Sequence, residues 1–186
     1  YRIKKSLSVG NIEYMKLDLN DLGSVKEFAR EFNSKYDRLD ILLNNAGIMA
    51  LQEGKNCIGI EKQIGVNHVG HFHLTNLLFD AIKASPEGRI INVSSMAHEL
   101  STKDIGGINI KDMNWVDSYD ASHAYFQSKL ANVYNTKLLA QKLEKEKIFN
   151  VKVVSLHPGI VRTELFRYMA DNVCFLFFQK VLCMPM

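Results

Sequence analysis

Tyr125 and Lys129 stand four residues apart in the stretch His123-Ala124-Tyr125-Phe126-Gln127-Ser128-Lys129, thirty residues after the pair Ser94-Ser95 that closes an apolar run. The surrounding stretch is strongly helical in composition, and residues i and i+4 share one face of a helix, so an ammonium can stand beside a phenol. A unit charge about 4 Å away at an effective dielectric near 20 is worth roughly 4 kcal/mol, enough to lower a phenol pKa of about 10 by roughly 3 units. Such a phenol would titrate near neutrality, where a proton donor or acceptor is useful. Tyr-x-x-x-Lys also arises by chance about once in a few hundred residues, so its meaning rests on its neighbours.

Those neighbours sit at the ends of short apolar runs. The runs are Ile12 to Leu17, Leu39 to Leu43, Arg89 to Val93 and Val151 to Leu156, and they alternate with amphipathic stretches. This is the pattern of a parallel sheet with crossover helices. After Asn20-Asp21, either of which can cap a first turn, Leu22, Val25, Phe28, Phe32 and Tyr36 recur at helical spacing and predict a helix of about 14 residues. A second helix is expected from about Glu61 to Ala84, stopped by Ser85-Pro86-Glu87-Gly88. A third runs from about Ala121 to Lys147 and carries the apolar ridge Leu130, Val133, Tyr134 and Leu138. The stretch from Met96 to Ser118, with Gly106-Gly107 and the single tryptophan Trp115, reads as a structured loop.

Composition narrows the alternatives. A chain of 186 residues that is 47% hydrophobic has material for one domain with a substantial core and too little for two. The net charge of +3 is spread among both signs, as in Lys142, Glu144, Lys145, Glu146 and Lys147, which reads as a solvated helix face and no nucleic-acid patch. Three cysteines, Cys57, Cys174 and Cys183, are odd in number and lack metal-ligand spacing, which favours a reducing compartment. No stretch reaches the roughly 18 to 20 apolar residues that span a bilayer. His68, His71 and His73 cannot ligate one metal from a regular helix, because position 73 lies about 200° round from 71, so they read as packing or solvent-facing residues. No Gly-x-Ser-x-Gly elbow occurs, which argues against a hydrolase.

In order along the chain come Asp18-Leu19, Asn44-Asn45-Ala46-Gly47, Asn67, Ser95, Tyr125 with Lys129, and Pro158-Gly159. Taken together they resemble the short-chain dehydrogenase/reductase family over nearly the whole chain. Val66-Asn67-His68-Val69-Gly70-His71-Phe72, Leu156-His157-Pro158-Gly159-Ile160-Val161-Arg162-Thr163-Glu164 and the long insert before Tyr125 look most like the retinol dehydrogenase and WW-domain oxidoreductase branch. The resemblance implies an α/β fold with a Rossmann-like doubly wound parallel sheet, every motif lying beyond the carboxyl end of a strand. It also implies a single partial domain over 1–186. The glycine-rich strand, turn and helix that hold a pyrophosphate do not precede Asp18, so the first two strands and the last are expected to be missing, in the manner of a fragment.

The same resemblance assigns roles. Ser95 would hydrogen-bond the substrate oxygen, Tyr125 would transfer the proton, Lys129 would lower the phenol pKa and hold the nicotinamide ribose, and Asn67 would fix a water in the relay. Asn67 in mid-helix, where asparagine has poor propensity, agrees with a role, though a buried amide bonded to backbone would look the same. Ser94-Ser95 alone is an ordinary strand end with turn-forming hydroxyls. Asn45, Ala46 and Gly47 would admit the coenzyme close to the backbone, unless they form a simple turn. Asp18 would accept from the adenine amino group or else start a helix. Pro158, Gly159 and Thr163 would lie beside the nicotinamide.

The implied activity is an NAD(P)-dependent interconversion of an alcohol and a carbonyl on a lipophilic compound such as a retinoid or steroid, with NADP preferred over NAD. The alternative is a truncated or noncatalytic relative that serves in protein interaction. Further implications are a homodimer through the two long helices and a cytoplasmic location at the endoplasmic reticulum membrane. Peripheral membrane contact would fall to the apolar segment Phe166 to Met186, which would either cover the substrate or pack as ordinary core.

Overall fold

The computed structural model describes residues 11–159 and residue 165. In chain order the elements are α1 (Leu22–Lys35), β1 (Ile41–Asn44), α2 (Lys62–Ile64), a π-helical turn (Gly65–Gly70), α3 (His71–Leu77), α4 (Phe79–Lys83), β2 (Gly88–Val93), α5 (His98–Ile105), α6 (Ala121–Lys145) and β3 (Val151–Leu156). The three strands form one parallel sheet in the order β1-β2-β3, with Leu43 beside Ile91 and Ile91 beside Val154. Side chains alternate across it. Leu42, Ile90 and Val151 point to the helical side and pack with Val25, Ala29, Leu74, Leu78, Ile82 and Leu143. Right-handed crossovers put consecutive connecting helices on the same face when strand order runs in one direction. Among the described residues the other face is open, with Ile41 52%, Leu43 56%, Val154 48% and Leu156 40% exposed.

Three expectations are corrected. The run Ile12 to Leu17 is no strand: it has no ladder partner among the described residues, and an extended backbone without one has nowhere in a sheet to place its N–H and C=O groups. Of the run, Leu17 packs against the helical core, as does Leu19 just beyond it, while Tyr14 is exposed. The predicted helix from Glu61 to Ala84 is interrupted by the π-helical turn and again at Leu78, where φ is −99° and ψ 2°. Just before that break, Thr75 Oγ1 and Asn76 Nδ2 donate to the carbonyls of His71 and Phe72, each at 2.8 Å, competing with the helical ladder. The stretch read as a loop from Met96 to Ser118 contains α5, which ends on Gly106 in the left-handed conformation that glycine adopts freely.

Helix α6 agrees with expectation in extent, and Asp120 caps it by accepting from the His123 amide. Its ridge divides, however. Leu130 is buried, while Tyr134 and Leu138 face outward at 45% and 64% exposure.

Candidate active site

Strand β2 delivers Ser94 and Ser95 at its carboxyl end, and α6 lies across that end. Ser94 Oγ donates to the Lys129 carbonyl at 2.8 Å, pinning the strand end to the helix. The Ser95 side chain is hydrogen-bonded to the Tyr125 hydroxyl. Tyr125 sits among Met49, Ala97, Leu100 and Phe126, with Leu165 against the cluster. Lys129 Nζ donates to the carbonyl of Val93 at 3.1 Å and stands 5.5 Å from the centroid of the Tyr125 ring.

The expected electrostatics do not hold in this arrangement. Tyr125 and Lys129 are only 3% and 4% exposed, and burial opposes charge on both. Burial pushes the Tyr125 phenol up to about 12 against the Ser95 hydrogen bond, which works to lower it. Burial likewise brings the Lys129 ammonium down to about 8. The lysine charge is directed at a carbonyl oxygen, so desolvation outweighs its pull on the phenol. At neutral pH the pair is a neutral phenol beside a mostly protonated amine, which is the form that gives a proton.

Asn67 lies in the π-helical turn, a distortion that recurs at functional sites. Its Oδ1 accepts from the Ile48 amide at 2.8 Å, and its Nδ2 donates to the Ile48 carbonyl at 2.9 Å and to Ser128 Oγ at 3.0 Å. The amide therefore clamps the loop after β1 to α6, and both readings of a buried asparagine meet here. A Cβ on Gly47 would stand 3.3 Å from Asn67 Oδ1 and 3.6 Å from Lys129 Nζ, so the loop backbone comes against the lysine with no side chain between. Asn67, Ser95, Tyr125, Lys129 and the Asn45-Ala46-Gly47 loop are thus brought together.

Asp18 is exposed, and its Oδ1 accepts from the Asn20 amide at 2.9 Å in a turn that precedes α1, whose cap is Asp21. Pro158 and Gly159 follow β3, Gly159 with a φ of 82° that suits glycine. Thr163 and the segment Phe166 to Met186 lie outside the described residues. His68 Nδ1 is 3.0 Å from Asn132 Oδ1 and His71 Nδ1 is 3.2 Å from the Asn67 carbonyl. Both rings therefore carry the proton on Nδ1, and burial takes His71 down to about 4.

Several supporting residues escaped the sequence reading. Glu61, 1% exposed, accepts from the amides of Gln63 and Ile64, each at 2.8 Å, as the cap of α2. Tyr119 OH donates to the Leu51 carbonyl at 3.0 Å and accepts from Gln63 Nε2 at 2.9 Å, which ties the insert to the loop beyond β1. Gln127 holds the insert from the other side, its Nε2 donating to the Met113 carbonyl at 3.2 Å. Asn132, in mid-helix like Asn67, carried the same signal of poor propensity and could have been found by it.

The short chain dehydrogenase family profile matches residues 2–173. The chain is 47% identical over 154 residues to retinol dehydrogenase 13 of Mus musculus, covering 82% of this chain and 44% of that protein. It is 46% identical over 160 residues to retinol dehydrogenase 14 of Homo sapiens, covering 86% and 45%. The chain therefore spans about half the length of the curated relatives it matches. Among solved structures, an uncharacterised protein from Mycobacterium paratuberculosis superposes with a TM-score of 0.72 at 35% identity, over 100% of this chain and 63% of that one. The Pseudomonas aeruginosa RhlG/NADP active-site complex gives 0.59 at 25% identity, over 84% and 56%. A serine at the end of a parallel strand bonded to a helical tyrosine, in a sequence that the family profile covers almost throughout, leaves one conclusion: the chain belongs to the short-chain dehydrogenase family.

Proposed function

We propose that this chain carries the proton-transfer half of an NAD(P)-dependent oxidoreductase that interconverts an alcohol and a carbonyl on a lipophilic substrate such as a retinoid or steroid, with NADP preferred. The observation that carries the reading is the hydrogen bond between Tyr125 and Ser95, with Lys129 one turn further along the same helix. The names of the retinol dehydrogenase relatives support the substrate class, and the NADP complex among the structural neighbours supports the coenzyme.

The residues present suit a nicotinamide coenzyme, because a Cβ at Gly47 would fill the cradle between the loop backbone and Lys129. Lys129, the backbone of Asn45 to Gly47 and the Pro158-Gly159 turn would hold it. When bound, the nicotinamide supplies or takes up a hydride. In the reducing direction Tyr125, neutral at pH 7, gives its hydroxyl proton to the carbonyl oxygen, and the Ser95 hydroxyl donates to that same oxygen. In the oxidising direction the phenolate takes the proton back, and the Lys129 ammonium favours that anion.

The open sheet face supports the second reading, a noncatalytic relative acting through protein contacts, since exposed apolar faces of this kind mark interaction surfaces. The outward Phe72, Tyr134 and Leu138 side chains support a homodimer through α3 and α6. Turnover separates the two. In the full-length protein, all-trans-retinal with NADPH is reduced, and Tyr125→Phe slows it at least about a hundredfold with coenzyme affinity nearly unchanged. A Phe variant with near-normal turnover overturns the assignment of Tyr125, and a wild-type protein that binds coenzyme yet reduces no carbonyl favours the interaction reading.

A further inference from the structure

Beneath the Tyr125–Lys129 face lies a closed ring of buried hydrogen bonds. The Asn67 carbonyl accepts from His71 Nδ1 at 3.2 Å and from Asn132 Nδ2 at 3.0 Å. Thr75 Oγ1 donates to the His71 carbonyl at 2.8 Å, and Asn44 Nδ2 donates both to Thr75 Oγ1 at 3.0 Å and to Asn92 Oδ1 at 2.8 Å. Asn92 Nδ2 donates to Thr136 Oγ1 at 2.9 Å, and that hydroxyl returns to the Asn132 carbonyl at 2.8 Å. Every member is at most 8% exposed. The ring therefore couples the π-helical turn, β1, β2 and α6 in surroundings where an unmade hydrogen bond is costly.

Asn132 is the member that reaches the reacting groups. Its Nδ2 also donates to the Val93 carbonyl at 3.3 Å, the same oxygen that receives Lys129 Nζ at 3.1 Å. Its Oδ1 faces His68 Nδ1 at 3.0 Å, so the amide cannot turn over without breaking bonds on both sides. We propose that Asn132 is a positioning residue for Lys129: by sharing the Val93 oxygen with the ammonium and tying that strand end to the Asn67 carbonyl, it sets where Nζ stands beside the Tyr125 ring, and His68 fixes the orientation of the amide. The catalytic consequence rests on the oxidoreductase reading, whereas the placement of Nζ is measurable without turnover.

Asn132→Asp keeps the shape and replaces a donor by an anion facing two carbonyl oxygens. The carboxylate repels them and draws the ammonium from Val93; the titratable groups already facing Nζ are Tyr125 and His71. Lys129 is followed by NMR titration of its side chain in the full-length protein, the signal assigned with Lys129→Arg. The Asp variant raises its pKa by at least about one unit and lowers kcat at least about 30-fold. Thr136→Val, which breaks the ring without touching Val93, leaves the titration in place and kcat within about twofold while lowering Tm. Should the Asp variant not fold, His68→Phe releases Oδ1, lets the amide turn over and raises the Lys129 titration by at least about half a unit. A Lys129 titration unmoved in the folded variants, or moved as far by Thr136→Val, overturns the proposal. A wild-type protein that turns over neither alcohol nor carbonyl defeats the oxidoreductase reading alone, because the titration still decides the positioning.

Discussion

Lys129→Met should stabilise the fold at neutral pH while removing activity. Burial holds the ammonium down to about 8 from an ordinary 10.5. The side chain is only 4% exposed, so solvent screening discounts little of this. A gap of that size corresponds to about 3 kcal/mol. Because the folded pKa is the lower one, the unfolded chain binds more protons between about pH 8 and 10.5, and stability rises with pH across that window. Below pH 8 the full penalty applies. Methionine removes it and fills a similar volume, at the loss of the charged hydrogen bond to Val93, worth about 1.5–3 kcal/mol, although Asn132 remains on that oxygen. The net expectation is a gain of about 1 kcal/mol at pH 7 that turns into a loss near pH 10. Urea unfolding of the full-length wild type and variant at the two pH values measures it. A stability difference that does not change with pH, or a variant clearly less stable at pH 7, would falsify the view that desolvation dominates at Lys129.

Three further outcomes follow from the packing. A methyl group at Gly70 would stand 2.5 Å from the Leu19 carbonyl oxygen, so Gly70→Ala should cost about 1–3 kcal/mol and lower Tm in a thermal melt; an unchanged Tm would show that the loop before α1 yields freely. Tyr119→Phe leaves the Leu51 carbonyl and Gln63 Nε2 short of a partner and should cost about 1–3 kcal/mol in urea unfolding, with no loss expected if water replaces the hydroxyl. The 186-residue chain expressed alone should self-associate through its open sheet face and bind NADPH weakly, and Leu43→Lys with Val154→Lys should reduce that association in light scattering; a monodisperse chain with micromolar NADPH affinity in calorimetry would refute this.

Much of the architecture was open to a reading of local pattern. The 3.6-residue spacing of Val25, Phe28 and Phe32 located α1, and the long helix carrying Tyr125 and Lys129 follows from a stretch without Gly or Pro after the cap Asp120. Three apolar runs became β1, β2 and β3 because each found a parallel neighbour. The run Ile12 to Leu17 shows the limit, since alternation measures which side chains can be buried and says nothing about whether a hydrogen-bonding partner exists. Leu138 shows the same limit in a helix: its spacing fits the ridge, yet no element covers it among the described residues.

For the site, the sequence by itself determined which groups could do chemistry and that Tyr125 and Lys129 share a helix face, because covalent spacing and helix geometry dictate both. Only the tertiary structure decided their protonation. The sign of the shift at Tyr125 depends on burial in the Met49 and Leu100 cluster and on an ammonium directed to Val93 in place of the phenol. The same holds for the ring through Asn44, Asn92 and Asn132, whose members are scattered over two strands and the helical elements and meet only when α6 crosses the sheet. Hydrogen bonding and desolvation act over a few ångströms of space, while sequence patterns register a residue's neighbours along the chain, so contacts between distant segments leave little local trace.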